Sequence, residues 1–283
     1  MPNIFENLNT SKPVVGIRVL VDLKGLWLTS SRTLPPIEFS KAATGIEGLD
    51  VMLQGGVPRG RVILVRGAPG IGKTILCMQF LYKGASKYNE KGMFVSLEET
   101  KEQLIREMYR VGMDLREPVG NGTITCIEAS PIRHIPGKVQ LGDMTVGKRD
   151  FSLVALAKKI MDTANEKDIQ RIVIDPMTAL SVQCPDDNLR RTMILDLVEA
   201  LSQTKATCLV TEELSSSALE RGGGVEDYSV HGVIIMRPVM REKTITKTVQ
   251  IVKMRETKHD DQSRIYRITD NGIVVYPEEN VFR

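Results

Sequence analysis

The sequence predicts an α/β fold, a mainly parallel sheet flanked by helices and closed by a C-terminal antiparallel extension. Three observations predict it. From residue 41 onward, short β-branched apolar runs alternate with helical stretches, the pattern of strand–helix–strand crossovers. After about residue 230, strand-like pieces follow one another across turns. The chain has 283 residues and is 42% hydrophobic and 26% charged, enough to bury one large core.

Residues 1–40 read as an N-terminal arm or extension. They contain the single tryptophan, Trp27, and end near Pro35-Pro36, where proline restricts the backbone. Residues 41–283 read as the α/β domain. "RVILVRG" (61–67) is a continuous apolar run bounded by glycine, as in a buried parallel strand. "KTILCMQFLYKGASKY" follows with helical spacing. "GMFVSLE" (92–98) is a second strand, and "TKEQLIREMYRVGMDL" an amphipathic helix ending near Gly112. "GTITCIEA" (122–129), "RIVIDP" (171–176) and "ATCLVTEE" (206–213) are further strands, separated by helices over "FSLVALAKKIMDTANEKD" and "NLRRTMILDLVEALSQTK". "GVIIMRPV", "ITKTVQIVKMR", "SRIYRITDNG" and "GIVVYP" make the antiparallel extension, with "DNG" marking a hairpin.

Charge and composition narrow the function classes. Thirty-eight basic residues against 35 acidic ones give a net charge of +3, too balanced for a nucleic-acid binder driven by bulk electrostatics. Cys77, Cys126, Cys184 and Cys208 lack redox or zinc spacing. No apolar run nears the roughly 20 residues that span a bilayer, and "MPNIFENLNTSKP" lacks a secretory pattern. The expectation is a cytoplasmic protein without a membrane partner.

The strongest chemical signal is "GAPGIGKT", Gly67 to Thr74, a match to the Walker A loop G-x-x-x-x-G-K-[ST]. A strand enters it and a helix leaves it, so backbone N–H groups and the helix N-terminus face one anion. Gly67, Ala68, Pro69, Gly70, Ile71, Gly72, Lys73, Thr74 and Ile75 are the expected nucleotide-binding residues. Lys73 would hold the β- and γ-phosphates, and Thr74 would ligate Mg²⁺. Asp175, ending the apolar run "RIVID", is the second expected Mg²⁺ ligand. Glu98 and Glu99, ending "FVSLEE", can orient a water against the γ-phosphate. The alternative for both is an acidic residue favoured at a helix N-terminus.

Taken together, "TGIEGLDVMLQGGVPRGRVILVRGAPGIGKT", "FVSLEET", "GMDL" (112–115), "EASP" (128–131), "VIDPMTAL" (173–180) and "VEDYSVHGVIIM" (225–236) resemble the KaiC-type branch of the RecA-like ATPases, in that family's order. The match runs from about Thr44 to Tyr276 and covers one such domain, like the single-domain archaeal and bacterial members. The resemblance implies a homo-oligomeric ring, usually a hexamer, with ATP and Mg²⁺ between neighbouring subunits. It also maps Lys253 and Arg255 of "KMRETKH" onto cations that reach the γ-phosphate from the next subunit. Lys253 and Arg255 alternate with Met254 and would share one strand face. Thr211 and Glu212 resemble the position coupling nucleotide state to distant surfaces.

Two departures stand out. The family's glycine after K-x-R is Glu256, and the phosphorylated Ser-Thr pair of the clock protein is unmatched, leaving Ser229 alone. ATP hydrolysis without a phosphoryl-protein cycle is therefore expected. Two rival functions remain at this level. One is a DNA-acting recombination or repair ATPase, with Arg133, His134, Lys138, Lys148 and Arg149 as basic loop candidates; aromatic content of 5% leaves few stacking platforms. The other is a nucleotide-switched interaction protein with little turnover. "ERGGGVED" (220–227) is a glycine-rich loop suited to a pore, a partner or a plain connection.

Overall fold

A computed structural model of the chain describes residues 40–129, 139–141, 144–146, 153–182, 187–214, 230–241 and 243–280. The proposed arm, the basic segment around His134, the "ERGGGVED" loop, Ser229 and Cys184 lie outside the described residues.

The elements follow the predicted alternation. Strand β1 (Lys41–Ala42) pairs with β2 (Val57–Pro58) around helix α1 (Glu47–Met52). Then come β3 (Val62–Gly67), α2 (Lys73–Tyr88), β4 (Gly92–Ser96), α3 (Lys101–Arg110), α4 (Arg116–Gly120) and β5 (Ile124–Glu128). A small antiparallel pair, β6 (Val139–Leu141) and β7 (Met144–Val146), precedes α5 (Leu153–Lys167) and β8 (Arg171–Asp175). A 3-10 helix (Met177–Val182), α6 (Asp187–Gln203) and β9 (Thr207–Glu213) follow. The chain then runs through β10 (Gly232–Arg241), β11 (Thr244–Met254), β12 (Arg264–Thr269) and β13 (Gly272–Asn280).

Nine strands form one sheet in the order β13-β12-β11-β10-β3-β9-β8-β4-β5. The sequence placed the first tail strand within the antiparallel extension, whereas β10 is parallel to β3 on one side and antiparallel to β11 on the other. β10 is therefore the junction strand. The "DNG" hairpin forms as expected, with Thr269 opposite Gly272 and Gly272 at φ +93°.

Both sheet faces are buried, which explains the unbroken apolar runs. Ile63, Val65, Phe94, Val173 and Leu209 face the layer that includes α2 and α3. Val62, Leu64, Val95, Ile174 and Val210 face α5 and α6. Helix α3 begins where Thr100 Oγ1 accepts from the Gln103 backbone N–H and the Gln103 side chain reaches back, a capping box. The cap is thus Thr100, which removes the helix-cap reading of Glu98 and Glu99. Parallel packing brings the C-terminal ends of β3, β4, β8 and β9 to one edge, where crevices in such sheets form.

Candidate active site

The phosphate loop leaves β3 at Gly67 and enters α2 at Lys73. Gly70 (φ +69°) and Gly72 (φ +109°) adopt the left-handed region that favours glycine. A Cβ on Gly67 would lie 2.5 Å from the Met236 carbonyl oxygen, so β3 and β10 leave no room for a side chain there. Tyr266, from β12, anchors the loop from behind by donating its hydroxyl to the Ile71 carbonyl at 2.6 Å.

Lys73 is buried, and its Nζ donates to the carbonyls of Gly67 (3.1 Å) and Ala68 (3.0 Å) and to Glu213 Oε1 (3.4 Å). A buried ammonium held by the loop's own carbonyls is positioned to exchange them for phosphate oxygens. Thr74 Oγ1 donates to Asp175 Oδ2 at 2.6 Å, and Thr211 Oγ1 donates to the other carboxylate oxygen. Burial raises the Asp175 pKa, while the Thr211 and Thr74 hydroxyls and Lys73 oppose that rise. The sheet register sets this cluster: Ser96 is opposite Asp175, and Ile174 is opposite Val210, one residue before Thr211.

These groups border a cavity of about 310 Å³ lined by Gly70, Gly72, Thr74, Glu98, Glu99 and Asp175, among others. The carboxyl of Glu98 is raised above its usual pKa, first by burial and then by Glu213 and Asp175, with Lys73 opposing. Glu99 is raised to about 7 by burial and by Glu107, Asp175 and Glu98. Its Oε2 is buried with no hydrogen-bond partner, while its backbone is tied to Ser96 Oγ.

The residues fit a magnesium nucleotide. The left-handed glycines aim the loop at an anion, and Thr74 with Asp175 offers hard oxygen donors. Mg²⁺ takes one or two protein oxygens and fills its shell with water and phosphate.

A family model described as "ATPase: KaiC" matches residues 42–280. The chain belongs to the KaiC ATPase family. It is 33% identical over 241 residues to the circadian clock oscillator protein KaiC of Parathermosynechococcus lividus, covering 84% of this chain and 42% of that one. It is 34% identical over 243 residues to its counterpart in Synechococcus elongatus, covering 84% and 44%. This KaiC-family chain thus spans less than half the length of those curated relatives. A solved KaiC-like protein from Pyrococcus horikoshii OT3 matches with a TM-score of 0.72 and 29% identity, over 85% of this chain and all of that one.

The structure separates Lys253 and Arg255 from the cavity of their own chain. β11 runs antiparallel to β10 and therefore ends at the opposite edge of the sheet. The Arg255 backbone N–H donates to the His231 carbonyl, and the His231 N–H donates to that of Val62, the first residue of β3. Arg255 is therefore level with the start of a strand whose end carries Gly67, about 16 Å away along the strand alone, more than its side chain spans. The register shift in β11 falls before Lys253, and Arg255 lies one residue past the end of the strand; Met254 between them is buried while Lys253 and Arg255 are not. Lys253 is half-buried, with Nζ donating to the Val230 carbonyl at 2.8 Å.

Two further carboxylates line the cavity that sequence reasoning missed, Glu107 on α3 and Glu213 on β9. Neither belongs to a local motif; Glu213 meets Lys73 across 140 residues of sequence. Beside Glu213, Glu212 forms a 2.5 Å ion pair with the buried Arg66, fixing the end of β9 to that of β3.

Proposed function

We propose that this chain binds ATP with Mg²⁺ and hydrolyses it in a homo-oligomeric ring, a hexamer by family resemblance, in which each site is completed by the next subunit. The observation that carries this is the distance between the two halves of the machinery within one chain. The phosphate loop, Glu98 and Asp175 stand at one edge of the sheet, and Lys253 and Arg255 stand at the other.

In this reading Lys73 moves from the Gly67 and Ala68 carbonyls to the β- and γ-phosphate oxygens. Glu98, whose raised pKa makes it a stronger base than a free carboxylate, orients the attacking water and accepts its proton. Glu99 supports that water or the position of Glu98. Bound at Thr74 and Asp175, Mg²⁺ would neutralise phosphate charge. Lys253 and Arg255 of a neighbour add cations where charge develops at the transferring phosphoryl group.

Sizing and hydrolysis measured across a dilution series test this. ATP with Mg²⁺ should shift the chain to a ring, and activity per subunit should fall as dilution dissociates it. Constant activity per subunit in a form that sizes as a monomer would contradict the proposal.

A further inference from the structure

We infer that an ion pair between Arg61 and Glu256 is a clasp that positions Lys253 and Arg255 for the neighbouring subunit, which makes Glu256 a positioning residue. The inference rests on the proposed role of those two cations across a subunit interface.

It starts from a backbone outlier. Among the described residues, five without glycine's freedom have positive φ: Gln54, Asn89, Asp168, Lys205 and Glu256. The first four lie within two residues of the ends of α1, α2, α5 and α6, where left-handed caps are common. Glu256 (φ +61°) alone follows a strand. Glycine would adopt this turn without penalty. An unfavourable conformation kept on a side-chain-bearing residue points to something the side chain does.

The side chain grips Arg61. Arg61 Nη2 donates to Glu256 Oε1 at 2.5 Å and Nε to Oε2 at 3.3 Å, a two-pronged guanidinium–carboxylate contact. Arg61 immediately precedes β3, and its own carbonyl accepts from the Cys208 N–H of β9. The clasp therefore ties the turn after β11 to the start of the phosphate-loop strand. His231 lies within the same small network: its N–H and carbonyl link Val62 to Arg255, and its Nδ1 accepts from the Val62 N–H at 3.3 Å. Burial, then Arg61 and Arg255, lower the His231 pKa, while Glu256 raises it. Arg61, Lys253, Arg255 and Glu256 thus all lie close enough to His231 to act on its charge. Without Glu256 the turn carrying Arg255 loses this tie to Arg61.

The test uses the full chain with ATP and Mg²⁺. Glu256→Gly restores a residue that suits the backbone, so its unfolding midpoint should equal or exceed the parent's. Nucleotide affinity should be unchanged, and kcat should fall about two- to fivefold, the range of an exposed ion pair expressed as a rate. Glu256→Gln and Arg61→Gln, which add no glycine flexibility, should show the same fall, and the double variant should be no worse than either single one. Mixed with Glu98→Gln, Glu256→Gly should recover activity above the average of the two; mixed with Arg255→Ala, it should not. Parent kcat in both Glu256 variants would overturn the clasp, as would a kcat loss matched by a lower unfolding midpoint. Mixing Arg255→Ala with Glu98→Gln separates the failures. If that pair recovers activity while the Glu256 variants keep the parent rate, the clasp alone falls. If it recovers nothing, the split-site reading falls and takes the clasp with it.

Discussion

The two edges of the sheet are built differently. At the phosphate-loop edge, Lys73 and Asp175 are buried, and loop carbonyls, Thr74, Thr211 and the Arg66–Glu212 pair fix the groups from several strands. At the far edge, Arg255 and Glu256 are exposed, and Glu256 meets Arg61 through a partly exposed pair. The first edge is organised by the core itself. The second holds Lys253 half-buried on the Val230 carbonyl and carries Arg255 exposed on the short turn after β11. The difference teaches that the loop residues are held from several strands at one edge, whereas Arg255 and Glu256 sit on a turn at the other.

The largest effect should come from the buried edge. Lys73→Ala removes the ammonium that donates to the Gly67 and Ala68 carbonyls and should reduce hydrolysis by about 100- to 1000-fold, with weakened nucleotide binding in a titration. A variant that binds ATP at parent affinity would break the contrast, because it would show that the core-built edge does not hold the phosphates.

A smaller effect concerns Glu99. Its pKa of about 7 exceeds the value of 4.5 for a free glutamate, because of burial and then of Glu107, Asp175 and Glu98. The folded chain therefore binds a proton more tightly than the unfolded chain does. The resulting stability is fully present below about pH 4.5 and is lost as pH rises through about 7. In nucleotide-free protein, Glu99→Gln should flatten this part of the dependence of unfolding midpoint on pH. An unchanged slope would show that Glu99 does not share the buried character of its edge.

How much was legible in the sequence follows the same division. The phosphate loop could be read because its chemistry requires fixed local spacing between Gly67 and Thr74. Asp175 and Glu98 were legible because apolar parallel strands end in acids at a single edge. Glu213 and Glu107 were hidden, since only the sheet order β3-β9-β8-β4 brings their elements around the loop. The direction of β10 was hidden too: an apolar strand reads alike whether its neighbour is parallel or antiparallel. Glu256 was visible as a departure from glycine, but its partner lies 195 residues away, beyond any local pattern.

The most direct test of a site split between two chains is complementation. Arg255→Ala and Glu98→Gln should each hydrolyse ATP poorly. When the two are mixed under conditions that exchange subunits, some interfaces join an intact Glu98 to an intact Arg255, and activity should rise above that of either variant alone. Mixed rings that remain as inactive as their parents, with exchange verified independently, would contradict the account.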